Sequence, residues 1–414
     1  MKLYIVSLAL TLNLAAYSFF SVKTRSWLNI LTPTFLLSIP TIYIFELMHL
    51  YVDSEPGSDF GYMVVYLIHT LPIVAFVLSY LYIRPLSFAT NAASVNKNTA
   101  GLSLGFLFVA VLLYMPIMVQ FASDLLNPRA IYTATRSGFG VSYYGSVVAS
   151  YIFLILVLFN SALGWRLKAL ALIFCIVFAY LHGSKGQILT VIFIAMLYRI
   201  VTSSSRIKFL TMAVLATAFG FLGMLTFYSM TQGIEPEQLL MVMANYSDYN
   251  RNAVMLIDSD RYLQWGRIFF EDNFFSRIPR AFYPDKPKDF GSFSLALEYF
   301  PSSFYRDEGV PSFGVGVMYA DFGILAVVMS TLWGVLSGIV SRTLTARLRL
   351  YRSPADFVLL CFFCGVILIP IGAGNLLPEH FFLACMVYWM ANRKCHSMPA
   401  RGRLRDENRN SQGI

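Results

Sequence analysis

The chain is dominated by apolar runs of about 20 residues, and this feature constrains its fold more than any other. A helix of that length crosses the hydrocarbon core of a bilayer, where each backbone N–H and C=O must be paired inside the protein. Only 13% of the 414 residues are charged, roughly half the share usual in a soluble domain. The sequence therefore predicts an all-α, polytopic integral membrane protein.

By the length rule the chain holds about eleven such runs. They fall at roughly 3–21, 30–51, 62–83, 100–121, 145–164, 167–182, 186–201, 209–230, 313–340, 355–374 and 377–392. The long polar interval predicts one large external loop that contains short helices. The predicted regions are transmembrane helices 1–8 in residues 1–230, the loop in 231–312, helices 9–11 in 313–392, and a basic tail in 393–414.

The positions of the lysines and arginines predict the orientation of these helices. Basic residues concentrate in alternate connections, from Lys23 and Arg25 to the tail that begins at Arg393. The positive-inside rule makes those connections cytoplasmic, which places the amino terminus and the loop 231–312 outside. The first run lacks a convincing cleavage site and precedes its basic residues, so we expect a retained span. The net charge of +9 is explained by these loops, and no nucleic-acid partner is predicted.

The stretch "RIPRAFYPDKPKDFG" at 277–291 combines cations with three prolines inside the predicted loop. A proline disfavours helix at the residue before it, so the stretch is expected to be extended and stiff. Such a segment presents Arg277, Arg280 and Lys286 at low entropic cost, and arginine suits bidentate contacts to phosphate. The alternative is that these cations anchor the loop to lipid headgroups or pair with neighbouring aspartates. The whole cluster favours anion binding.

Lys185 lies in the turn 182–186, between two short apolar runs. Gly183 and Gly186 permit a tight break whose backbone amides can face a ligand, and a cation at membrane depth is a functional hypothesis. The alternative is an external turn with a lysine that reaches toward the membrane surface. His182 is expected to end a helix.

Two acidic positions are candidates for proton transfer. Asp321, in "GVPSFGVGVMYADFG" at 309–323, lies two residues after Tyr319. Its carboxylate is suited to accept a proton from a sugar hydroxyl, or to serve as a helix-start aspartate favoured by the macrodipole. Glu379 and His380 begin the last run from the same side, where they form either an acid–base pair or a helix cap.

Other acidic and cysteine patterns carry less information. The Asp-Ser-Asp at 258–260 matches the DxD of nucleotide-sugar glycosyltransferases, but it lies outside, where nucleotide sugars are absent. Asp53 and Glu55 fall in the first external loop, as acidic residues do in glycosyltransferases of the GT-C type. Cys361 and Cys364 lie within an apolar run with no second ligand pair. The sequence predicts no metal site and no cofactor.

The large loop with "RIPRAFYPDKP", followed by "GVPSFGVGVMYADFG" at the next span, resembles the Wzy-type O-antigen polymerases. The turn "GSKG" is similar to the Gly-Ser-Arg-Gly break of that family, with Lys185 where arginine is usual. This difference keeps the charge but loses the bidentate fork of arginine. The resemblance covers the topology of the whole chain and short motifs over roughly residues 180–325.

The resemblance implies a metal-independent glycosyltransferase at the periplasmic face of the bacterial inner membrane. A growing glycan leaves undecaprenyl pyrophosphate and joins the end sugar of a lipid-linked repeat unit, which requires cations for the leaving group and a base for the hydroxyl. Implied partners are membrane lipids, a chain-length regulator and a flippase. The assigned residues are Lys185, Arg251, Arg277, Arg280 and Lys286 for pyrophosphate, Phe282, Tyr283 and Tyr319 for sugar, and Asp321 or His380 as the base.

Three other functions stay open from the sequence. An O-antigen ligase uses the same donor with lipid A-core as acceptor. A GT-C glycosyltransferase with a polyprenyl-phosphate sugar would use Asp53 and Glu55. A flippase or transporter for lipid-linked oligosaccharides is the non-enzyme alternative, although transporters place charges at mid-membrane. Here mid-span charge is sparse, and Glu46 is its main case.

Overall fold

The computed structural model describes most of the chain, and regular structure within the described residues is helical. These residues are 1–52, 57–86, 99–125, 127–135, 139–203, 208, 211, 244–259, 261–275, 278, 282–305 and 311–365. The helices that precede the loop are α1 (Lys2–Thr24), α2 (Thr32–Ser38), α3 (Phe45–Val52), α4 (Asp59–Tyr82), α5 (Thr99–Gln120), α6 (Pro128–Ala134), α7 (Gly140–Phe159), α8 (Trp165–Leu181) and α9 (Lys185–Thr202). Those within and after the predicted loop are α10 (Asp248–Ile257), α11 (Arg267–Phe275), α12 (Ser292–Tyr299), α13 (Pro301–Tyr305), α14 (Gly316–Phe322), α15 (Leu325–Tyr351) and α16 (Pro354–Phe363).

Six helices of the described chain are long and apolar enough to cross a membrane. They are α1, the continuous run Thr32–Tyr51 formed by α2 and α3, α4, α5, α7 and α15. This confirms a helical membrane protein. The predicted spans at 209–230 and 377–392 lie outside the described residues, apart from position 211, so the total of about eleven stays a prediction.

The predicted run 313–340 is two helices in the structure. α14 ends at Phe322, and Gly323 adopts a φ of +56° that a helix cannot continue through. A Cβ at Gly323 would lie 3.2 Å from Leu263. The turn therefore packs against the described residues between 244 and 305, which we call the polar segment. The membrane helix α15 therefore begins at Leu325 and extends to Tyr351, further along the chain than hydropathy predicted.

Helices α4 and α15 run parallel in close contact through two glycines of α15. A Cβ at Gly334 would lie 2.2 Å from the Pro72 carbonyl oxygen, and one at Gly338 would lie 2.6 Å from the Phe76 carbonyl oxygen. Small residues let helix backbones approach in a membrane, where association depends on packing rather than on the hydrophobic effect. One turn later Arg342 donates to two carbonyl oxygens at the end of α4, those of Tyr80 at 2.8 Å and Leu81 at 2.7 Å.

The polar segment packs on the opposite end of this helix pair from Arg342. The Ser58 backbone N–H, at the start of α4, donates to Asp258 Oδ2 at 2.6 Å, and the Ser58 hydroxyl donates to the other oxygen of that carboxylate. Ser58 in turn accepts from the Gly61 amide at 2.8 Å as the N-cap of α4. Asp258, the first residue of the DxD-like match, therefore attaches α10 to the membrane helices.

Candidate active site

A buried carboxylate of the membrane helices meets an arginine of the polar segment. Glu46, in the first turn of α3, has no exposed surface. Its Oε1 accepts the Tyr62 hydroxyl at 2.8 Å, and its Oε2 lies 3.5 Å from Arg251 Nη1 on α10. The same nitrogen donates to Ser247 Oγ at 3.3 Å. Arg251, which the sequence assigned to pyrophosphate, is thus paired with a membrane carboxylate.

A π-helical turn at Ile39–Ile44 joins α2 to α3 and helps to place this pair. The Ile42 carbonyl oxygen accepts the Tyr66 hydroxyl at 2.9 Å and Asn250 Nδ2 at 3.1 Å, so α4 and α10 both contact the turn. Such turns recur at functional sites, because they expose backbone groups inside a helix. Asn250 is the residue before Arg251, which ties the arginine to the membrane helices a second time.

Sequence reasoning did not assign Glu46, Tyr62 or Asn250 to the site. Glu46 was visible as an ionisable residue within an apolar run, which is itself a functional signal. Tyr62 and Asn250 carry no comparable local signal, since a tyrosine or an asparagine at these positions is compatible with ordinary packing. Tyr319, assigned to sugar contact, packs against the apolar cluster that contains Tyr62 and Tyr66.

Asp321 lies on α14, where it is fully buried. Its carboxylate contacts the start of α11. Its Oδ1 accepts the Ile268 amide at 3.0 Å and its Oδ2 accepts the Phe269 amide at 2.7 Å. These are amides of the first helical turn, which lack a partner within the helix. This geometry supports a structural role for Asp321 in holding α11 against α14. Its assignment as the base stays a prediction.

We expect Asp321→Asn to lower the thermal stability of the protein, by about 1–2 kcal/mol. The amide group of asparagine places a donor opposite one of the two backbone donors, so one of those contacts is lost. Thermal unfolding in detergent measures the effect, with the exposed Asp285→Asn of the same segment as the control. A variant of unchanged stability that is folded but inactive would contradict the structural role and support the base.

Two carboxylates of α11 accept backbone amides at the end of the cationic segment 277–291. Glu271 Oε2 accepts the Gly291 amide at 2.8 Å, and Asp272 Oδ1 accepts the Ser292 amide at 3.0 Å. Burial tends to raise the pKa of Glu271, but hydrogen bonds from Arg267 and the Gly291 amide lower it overall. The ionised carboxylate therefore persists at neutral pH. These bonds hold Gly291 and Ser292 against α11.

Within this segment the described residues contribute differently. Lys286 Nζ donates to the Ile278 carbonyl oxygen at 3.2 Å and lies 4.7 Å from the ring centroid of Phe290, so its cation stabilises the segment itself. Phe282 is 84% exposed and Tyr283 is 39% exposed, as ring-stacking contacts require. Arg277, Arg280 and His380 lie outside the described residues.

Gly291→Ala is expected to break the contacts that hold the end of this segment against α11. Gly291 has a φ of +56°, and a Cβ there would lie 2.2 Å from Asp272 Oδ1. Strain and clash together should cost about 1–3 kcal/mol. Limited proteolysis of the membrane-embedded protein should then cut between α11 and α12 faster than in the wild type. Gly140→Ala is the control because a Cβ there meets no atom within 4 Å; equal cleavage rates would contradict the expectation.

The predicted break between two short helices is present, with α8 ending at Leu181 and α9 beginning at Lys185. Gly183 has a φ of +67°, and a Cβ there would lie 1.9 Å from the Pro128 carbonyl oxygen. His182 is buried and its Nε2 lies 2.8 Å from Ser146 Oγ, as a helix-end residue would be. The Lys185 side chain is not among those described.

Comparison with known proteins gives one clear relationship. The O-antigen polymerases of Salmonella typhimurium (strain LT2) and Salmonella typhi are each 34% identical to the chain over 369 residues, which covers 87% of this chain and 88% of theirs. Neither a protein-family model nor a solved structure matches it. The resemblance inferred from the loop motifs is confirmed, and the chain belongs to the O-antigen polymerase family.

Proposed function

We propose that the protein is a glycosyltransferase that polymerises O-antigen repeat units from lipid-linked oligosaccharides. The proposal rests on the 34% identity to two O-antigen polymerases, which extends over 87% of the chain. The Glu46–Arg251 pair supports it, since it places a cation where the polar segment meets the membrane helices. A phosphate-bearing lipid substrate would reach that level of the protein.

The proposed donor is a glycan on undecaprenyl pyrophosphate, used at the periplasmic face of the inner membrane. The polar helices pack at the start of α4, whereas Arg342 and the Arg347–Asp356 pair lie toward the other end of the α4–α15 pair. The positive-inside rule makes the arginine-bearing end cytoplasmic. The proposed architecture keeps about eleven spans, with residues 231–312 periplasmic and 393–414 cytoplasmic.

In the proposed reaction the bond between the anomeric carbon and pyrophosphate breaks, and the leaving group keeps the electron pair. The acceptor hydroxyl oxygen forms the new glycosidic bond and gives its proton to a base. Cations that face the leaving oxygen stabilise the charge that develops there. Because both Asp321 oxygens already accept backbone amides, His380 is favoured as the base. The proposed cations are Lys185, Arg251, Arg277, Arg280 and Lys286, and the proposed sugar contacts are Phe282, Tyr283 and Tyr319.

Complementation tests the function. The chain is expressed in its host strain after the resident gene is deleted, and lipopolysaccharide is separated on gels. If the protein is a polymerase, the deleted strain makes core plus one unit and the expressed chain restores long chains. If it is a ligase, the deleted strain makes only unmodified core and the expressed chain restores the attachment of O-antigen to it. Asp53→Ala tests the GT-C alternative: retained long chains would exclude a catalytic role for that carboxylate. Deletion that leaves long chains intact would refute the proposal.

A further inference from the structure

We propose that Glu46 is a positioning residue, which orients the Arg251 guanidinium toward the diphosphate of the lipid-linked donor. This assignment rests on the proposed function and extends it to a residue inside a membrane helix. Glu46 holds the Arg251 guanidinium in place, and Arg251 is the residue that contacts the reacting atoms.

The pair is asymmetric in its exposure. The Glu46 side chain is 0% exposed, while the Arg251 side chain keeps 14% exposure. The carboxylate thus lies behind the guanidinium, on the side of the membrane helices. A ligand that approaches from the polar segment meets the arginine first, with the glutamate fixing it from the rear.

The carboxylate itself is held from α4. The Tyr62 hydroxyl donates to Oε1, which leaves Oε2 to face Arg251 Nη1. Ser247 Oγ, in the residue just before α10, accepts from the same nitrogen and restrains it. The rotation of the guanidinium is therefore set by groups on three elements of the fold, and arginine's planar fork makes such rotation decisive for phosphate contacts.

The backbone of α10 is fixed separately, by Asp258 on Ser58 at one end and by close packing on α14. A Cβ at Gly316 would lie 2.8 Å from the Ala253 Cα, which shows how closely the two helices approach. Docking of α10 does not depend on Glu46 alone. What Glu46 adds is the direction of the arginine side chain.

Energetics agrees with a functional reason for Glu46. Taking a carboxylate out of water is costly, and replacing a buried ion pair by apolar residues is often neutral or stabilising. An ionisable residue in a membrane helix is therefore weakly explained by stability. The orientation of a phosphate-binding arginine explains the presence of Glu46 better than stability does.

The test uses the full-length protein in lipid nanodiscs. Lipid-linked repeat units extracted from the polymerase-deleted host serve as substrate, and inorganic pyrophosphate serves as the competing probe. For Glu46→Gln we expect KM and the Ki of pyrophosphate to rise together by about tenfold, with kcat within about twofold of wild type. In an Arg251→Gln background the same change should leave the residual kcat/KM unaltered, because Glu46 acts through Arg251.

Glu298→Gln is the matched control, since it removes the carboxylate of the Arg261–Glu298 pair in the same segment; its KM and Ki should equal those of the wild type. Unchanged KM and Ki in Glu46→Gln would overturn the positioning role, as would additive losses in the double variant. Collapse of kcat at constant KM would make Glu46 a reacting group and also overturn it. A wild type that makes no polymer would refute the function instead; the pairing would then be tested by the Kd of pyrophosphate for the wild type and for Glu46→Gln, which a binding measurement gives without turnover.

Discussion

Replacing Gly334 and Gly338 together with alanine is expected to prevent stable assembly of the membrane helices. The two added methyl groups would lie 2.2 Å from the Pro72 carbonyl oxygen and 2.6 Å from the Phe76 carbonyl oxygen, so α4 and α15 must separate. Backbone atoms cannot move aside as a flexible side chain can, and we expect a loss of about 3 kcal/mol or more. Immunoblots of membranes and thermal unfolding in detergent measure the loss.

Helix α5 supplies the control for this pair of substitutions. Gly101 and Gly105 have the same spacing, and a Cβ at either would meet no atom within 4 Å. Their double replacement by alanine should leave protein level and unfolding temperature at or above those of the wild type, because alanine favours helix over glycine. Equal behaviour of the two double variants would contradict the close α4–α15 packing.

Arg251→Gln is expected to reduce polymer formation by about 100-fold or more, in the range found when a key charge-stabilising donor is removed. The variant loses a cation proposed to face pyrophosphate, and it leaves Glu46 buried without that cation. The second effect should destabilise the protein by about 3–5 kcal/mol. Gel analysis of lipopolysaccharide should show core plus one unit, while unfolding measurements report the loss of stability.

Two variants separate these effects on activity and stability. Arg251→Lys keeps a cation beside Glu46 but loses the bidentate fork, so the fold should survive and long chains should shorten. Arg261→Gln removes an arginine that pairs with a half-exposed glutamate elsewhere in the segment, and long chains should persist. Normal polymer from folded Arg251→Gln protein would exclude Arg251 from the reaction.

The fold class was readable from hydropathy because the bilayer demands long apolar helices regardless of their partners. Boundaries were less accessible: the turn at Gly323 depends on Leu263, which packs against it from the polar segment. Candidate site residues were predictable from the sequence only in part. Local charge and proline content marked the segment 277–291, and family resemblance marked Arg251, but the carboxylate that pairs with Arg251 lies far away in the chain.

Hydropathy established a helical membrane protein and short motifs predicted a cationic segment, since both depend on neighbouring residues alone. Tertiary contacts settled the use of each polar and small residue. Gly334 and Gly338 look the same in sequence as Gly101 and Gly105, yet in the described structure the first pair touches a helix backbone and the second touches nothing within 4 Å. Glu46 likewise gains its meaning from Arg251. Close approach and charge pairing are long-range properties, and no local pattern encodes them.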